Sequence, residues 1–162
     1  MDRVVMRNLV LLFVVCIGLI SCNKGVVFDD VVSMPKSGWS DDSLAVFRVD
    51  ISESTKNYDM WIQVRNDNTY AYANLWLFID VISASDGVMV RDTLDCVLAH
   101  PNGEWLGGGW GSLYTVDCPY RLNTKFATEG KYTFRISHGM RDESIIGIKS
   151  IGLRIKENNG EE

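Results

Sequence analysis

The 162-residue chain holds only two histidines, three prolines and four cysteines, and each scarcity closes a route to function. An imidazole base must be His100 or His138, and neither sits in a nucleophile motif. Gly-x-Ser-x-Gly is absent, so Ser137, His138 and Asp95 are a triad only by coincidence of composition. Two cysteines with distant histidines match no zinc spacing. The acidic pairs Asp29-Asp30 and Asp41-Asp42 lack a calcium-loop spacing. No apolar run reaches the roughly 20 residues that a spanning helix needs. A formal net charge of −5 is a poor match for nucleic acid. No catalytic residue, metal or cofactor is therefore expected, and the protein reads as non-enzymatic.

What is present begins with an address. After Arg3 and Arg7 an apolar stretch runs from Leu9 and ends in Leu19-Ile20-Ser21-Cys22. A charged start, a short apolar core and a small residue at the cut site make a secretory signal over residues 1–21. The Leu-Ile-Ser-Cys ending fits the bacterial lipobox, in which the cysteine thiol takes a diacylglycerol and the new amine is acylated with a palmitate-type chain. Cys22 is thus the expected lipidation site; an ordinary secreted protein cut before a cysteine is the alternative. Two or three acyl chains, at about 0.8 kcal/mol per buried CH₂, anchor stably where one is marginal. Cys16 leaves with the signal, so Cys96 and Cys118 remain. In an exported protein they are a candidate disulfide, and two buried reduced thiols are the other reading.

Residues 22–38 read as the lipidated N-terminus and a tether, 39–157 as one domain, and 158–162 as a frayed tail. From Leu44 the dominant period is two. Phe47, Val49 and Ile51 alternate with Arg48 and Asp50; Tyr58, Met60, Ile62 and Val64 alternate with Asp59, Trp61, Gln63 and Arg65. Similar alternation marks 113–118, 131–136 and 151–156. A tight turn near Ser52–Asn57 is expected to join two of these strands. Between Gly139 and Gly147 a single helical turn would carry Met140 and Ile145 inward. Leu75 to Ile79 is apolar on both faces, as in a central strand, or in one that presents Trp76 and Phe78 to a partner. The phase of the strand after Val88 is lost past Asp92, where a bulge would restore it. About seven to nine such strands, with turns between them, predict an all-β fold, an antiparallel β-sandwich of Ig-like or jelly-roll-like form.

Gly103 to Gly111 is the densest glycine cluster, with Trp105 and Trp110 inside it. Neither a Gly-x-Gly-x-x-Gly register nor a Gly-Lys-Ser ending occurs, so a tight connection is expected rather than a phosphate loop. The two tryptophans are either anchors folded onto the core or an exposed platform. Five tryptophans and six tyrosines are the composition's clearest functional feature. They serve the core, a partner surface built on Trp76, Phe78, Trp105 and Trp110, or a sugar-binding row.

From Tyr70-Ala71-Tyr72-Ala73-Asn74-Leu75-Trp76-Leu77-Phe78 onward the chain resembles the gliding-motility lipoprotein GldH family of the Bacteroidota. Asp92 to Ala99, Gly103 to Leu113, Gly130 to Phe134, Met140-Arg141 and Gly147 to Ile155 follow that family's pattern in order. The resemblance implies a cell-envelope lipoprotein similar to components of surface gliding and the linked type IX secretion machinery. It implies a membrane held by the lipid, other gliding lipoproteins as partners, and a docking or scaffold role. A carbohydrate-binding module for peptidoglycan or surface glycan is the alternative function. The lack of an acidic cluster after Cys22 favours the periplasmic face of the outer membrane.

Overall fold

A computed structural model describes residues 25–85, 87 and 89–160. The signal segment and the lipidation site Cys22 lie outside the described residues. The described chain forms β1 (Val26–Ser33), β2 (Trp39–Ser40), β3 (Ala45–Ile51), β4 (Asn57–Asp67), β5 (Asn74–Ser83), β6 (Met89–Val97), β7 (Gly108–Trp110), β8 (Leu113–Thr124), β9 (Gly130–His138), β10 (Ser144–Ile145) and β11 (Ile148–Asn158). Eight of these 11 strands have seven residues or more, within the expected count; β2, β7 and β10 are short additions.

The eight long strands pair as nested antiparallel hairpins: β5 with β6, β4 with β8, β3 with β9, and β1 with β11. Pairing of β11 with β4 and of β9 with β5 then gathers them into two sheets. The first has the order β1-β11-β4-β8-β7 and the second β3-β9-β5-β6. A long hairpin folded over on itself in this way is a jelly roll, which decides between the two expected sandwich forms.

The period-two residues fill the space between the sheets. Phe47, Ile51, Tyr58, Ile62, Leu75, Leu77, Ile79, Phe134, Ile136, Ile151, Leu153 and Ile155 are all essentially inaccessible. Along one side of the sandwich β1 faces β3, and Phe28 meets Phe47 edge to face at 6.3 Å. Along the other, β6 faces β8.

Several local expectations are corrected. Val26–Ser33, read as tether, is a full strand of the first sheet, with Asp29 turned outward to Arg154 at 3.0 Å. The Ser52–Asn57 connection crosses from one sheet to the other instead of making a hairpin. No helical turn forms after Gly139; Ser144 and Ile145 pair with Ser40 and Trp39. β6 carries no bulge, because Asp92 points inward and keeps the alternation in phase. Asn158, placed in the frayed tail, closes β11 and donates to Asp59 at 3.0 Å.

The topology gives the molecule two distinct ends. The start of β1, the end of β11 and the 52–56 and 125–129 connections lie at one end. The 68–73, 98–107 and 139–143 connections and the β7–β8 turn lie at the other. Along β4, from Tyr58 to Asp67, the two ends are separated by about 30 Å, at roughly 3.3 Å per residue.

Candidate docking surface

Alternation along β5 sends Leu75, Leu77 and Ile79 into the core and leaves Trp76 and Phe78 on the outer face, 43% and 41% exposed. The Gly139–Met140 segment fixes the backbone at Trp76 and packs against the Phe78 ring. Gly139 N–H donates to the Trp76 carbonyl at 2.7 Å, and the Trp76 amide points at the Met140 sulfur at 3.4 Å. A Cβ on Gly139 would sit 2.9 Å from the Phe78 ring, so glycine there lets the ring lie against backbone. Polar pairs fence the two rings. Asn74 Nδ2 donates to Asp95 at 2.7 Å beside Trp76, and Arg91 grips Asp80 through two bonds of 2.6 and 2.8 Å beyond Phe78. The Arg91 guanidinium holds the Asp80 carboxyl below its usual range, so this rim stays charged. Tyr72, Asn74, Trp76, Gly139, Met140 and Arg141 enclose an open depression of about 520 Å³.

The glycine cluster separates its two tryptophans. Trp105 is half-buried and stacks on Tyr114 at 5.9 Å; it continues through buried Tyr70 at 6.5 Å to Tyr72. It is therefore a loop anchor. Trp110 occupies the tip of the β7–β8 hairpin and is 93% exposed. Gly108 and Gly109 lie in β7, contrary to the expected loop. A Cβ on Gly109 would fall 1.7 Å from the Leu113 carbonyl oxygen, so only glycine allows this strand so close to β8. Trp76 and Phe78 belong to one sheet and Trp110 to the other, while Trp105 sits in the 98–107 connection, bridged to Ala99. All but the partly buried anchor Trp105 are presented to solvent, and none of the four lies at the end where β1 starts. Sequence reading missed Tyr72, Gly139 and Met140, whose roles depend on chain segments far apart in sequence.

The histidine triad does not assemble. His138 is buried edge to face against Trp39 at 5.3 Å, while its neighbour Ser137 and Asp95 face outward. Neither ring nitrogen of His138 has a hydrogen-bond partner. Burial lowers its pKa, with the nearby Trp39 backbone first, then Asp41 and Asp142, pulling the other way. The sign follows from linkage. Above about 6.5 the imidazole is neutral folded and unfolded alike, and at lower pH the unfolded chain gains the proton first. Stability should therefore fall on acidification below 6.5, by at most about 1.4 kcal/mol per pH unit from this group. Urea unfolding of wild type and His138→Phe at several pH values between 7.5 and 5 measures it. Identical slopes would assign the pH dependence elsewhere.

Cys96 from β6 and Cys118 from β8 both point between the sheets; both are buried and both are free thiols. The Cys118 thiol beside Cys96, together with burial, pushes the Cys96 pKa well above the ordinary thiol range.

Residues 26–155 match the family model described as GldH lipoprotein. The chain belongs to the GldH lipoprotein family. The match starts at β1 and ends within β11, so it covers both sheets. Among GldH relatives, the gliding motility lipoprotein GldH homolog of Christiangramia forsetii is 38% identical over 146 residues, covering 86% of this chain and 88% of that one. The gliding motility lipoprotein GldH of Flavobacterium johnsoniae is 32% identical over 158 residues, covering 93% and 97%. Solved structures are remote: an arabinose-bound α-L-arabinofuranosidase gives a TM-score of 0.34 at 9% identity, over 83% of this chain and 18% of that one. That likeness carries no argument for this GldH-family chain.

Proposed function

We propose that this chain is a non-enzymatic, lipid-anchored docking module, acting with other envelope lipoproteins in gliding motility and the linked type IX secretion machinery. The family and the names of its relatives support the gliding assignment. The observation that carries the docking role is the segregation of surfaces. Exposed Trp76 and Trp110 lie toward the end opposite the start of β1, with Phe78 midway along β5, so a domain anchored through the segment before β1 presents the two tryptophans away from the bilayer. An apolar strip rimmed by an ion pair at one end and a polar amide–carboxylate pair at the other suits a protein partner better than a sugar, which is held on a coplanar aromatic row.

The test is crosslinked capture of the lipidated protein from its own envelope, read by mass spectrometry, in wild type and in Trp76→Ala and Trp110→Ala. Aromatic hot spots are worth about 2 kcal/mol or more, so each variant should lose roughly thirtyfold in partner affinity. Undiminished recovery in stably folded variants would remove the aromatic surface from the proposal. Glycan recovered without protein would favour the carbohydrate-binding alternative. Protease shaving of intact cells tests placement on the periplasmic face of the outer membrane, where the domain should survive.

A further inference from the structure

The two long sides of the sandwich are closed by different means. On the β1–β3 side, Phe28 packs on Phe47. On the opposite side β6 ends the second sheet, and β8 is covered by β7 only from Leu113 to Thr115. From Val116 onward β8 is an edge, so two strand edges face each other across a seam that no backbone pairing closes. Residues of both strands meet there. Asp92 accepts from the Tyr120 hydroxyl and from Arg121, and next along the seam Cys96 lies against Cys118. Cys96 is wholly inaccessible and Cys118 is 5% exposed.

We propose that in the exported protein Cys96 and Cys118 are joined by a disulfide that fastens the two sheets along this seam, and that the bond is made during folding. The pairing of oxidation with export rests on the lipoprotein reading of Cys22. The oxidant is a disulfide donor of the envelope, such as a thiol–disulfide oxidoreductase. The thiolate of one cysteine attacks the donor disulfide, giving a mixed disulfide and releasing one donor thiolate. The thiolate of the second cysteine then attacks the chain's sulfur in that mixed disulfide and releases the other donor sulfur. The chain loses two electrons and two protons, and the donor is reduced to its dithiol.

Timing follows from burial. Exchange needs a thiolate and access, and the folded domain offers neither at Cys96. The unfolded chain offers both. Once the sheets close, the redox state chosen during folding is retained, so a bonded protein resists reductant and a reduced one resists oxidant until it unfolds.

The test uses full-length protein taken from its own membranes, denatured in acid, alkylated, then reduced and alkylated with a second reagent. Cys96 and Cys118 should carry only the second label. Separately, the mature chain is refolded with and without an oxidised and reduced glutathione mixture. The two folded forms have the same side chains, and the bonded form should melt higher by on the order of 10 °C. First-label capture of both cysteines from envelope-located protein overturns the bond and leaves the anchor reading standing. Location of the chain in the cytosol overturns the anchor reading instead, and the refolding pair still decides the bond. Equal melting of the two forms, or failure of glutathione to join the pair, overturns the clamp.

Discussion

Gly147→Ala is expected to destabilise the domain by about 2–5 kcal/mol, the sum of a left-handed backbone cost and a backbone clash. Gly147 adopts φ +94°, and a Cβ there would sit 2.3 Å from the Tyr70 nitrogen and 2.5 Å from its Cα. Those are main-chain atoms, which cannot swing aside as a side-chain tip does. The carbonyl of Gly147 also accepts the Asp67 amide at 2.8 Å, and Asp67 takes Lys149 at 2.6 Å, so both strands at this corner are tied to the glycine's position. Pushing Tyr70 out would loosen the Tyr72–Tyr70–Trp105 contacts that shape the aromatic end. Gly103→Ala is the control. It has φ +85° with nothing within 4 Å of an added methyl, so it should cost only about 1–2 kcal/mol. Urea unfolding of the two variants separates the effects. Equal losses would mean that close approach to Tyr70 contributes nothing.

The same corner shows what the sequence could and could not reveal. Alternation identified the core residues of β3, β4, β9 and β11, because each strand has one buried face and needs no knowledge of its partner. Pairing was not legible. β1 and β11 meet from opposite ends of the chain, and an alternating strand reads the same whether the next turn makes a hairpin or a crossover, which is why Ser52–Asn57 misled. β1 was hidden because Asp29-Asp30 interrupts its apolar residues, and only Arg154, 125 positions away in sequence, explains the charge. Asp92 obscured β6 for a related reason: its inward carboxylate is satisfied by Tyr120 and Arg121 across the seam. Trp76 and Phe78 were legible as outward because their neighbours on β5 are so uniformly aliphatic. Trp105 and Trp110 could not be told apart, since their glycine-rich surroundings carry no period, and the difference comes from Tyr70 and Tyr114 stacking on one of them.

Cys22→Ala should abolish fatty-acid labelling and move the protein from the membrane pellet to the soluble fraction. Nothing in the described domain replaces the lipid: among the described residues no helix is long and apolar enough to cross a membrane. Two or three acyl chains at about 0.8 kcal/mol per buried CH₂ exceed by far the marginal hold of a single chain, so their loss should shift the partition almost completely. A protein partner that is itself anchored would retain part of the variant in the pellet, and Trp76→Ala and Trp110→Ala added to Cys22→Ala separate the two holds. Release only in the combined variant assigns the residual binding to the aromatic end. Normal labelling in Cys22→Ala would refute lipidation at this residue. A pellet-bound combined variant would show that the domain touches the membrane by another face. The domain's melting temperature should be unchanged in Cys22→Ala, since β1 begins only at Val26 and takes its stability from β11, so a change in location would report the anchor rather than a damaged fold.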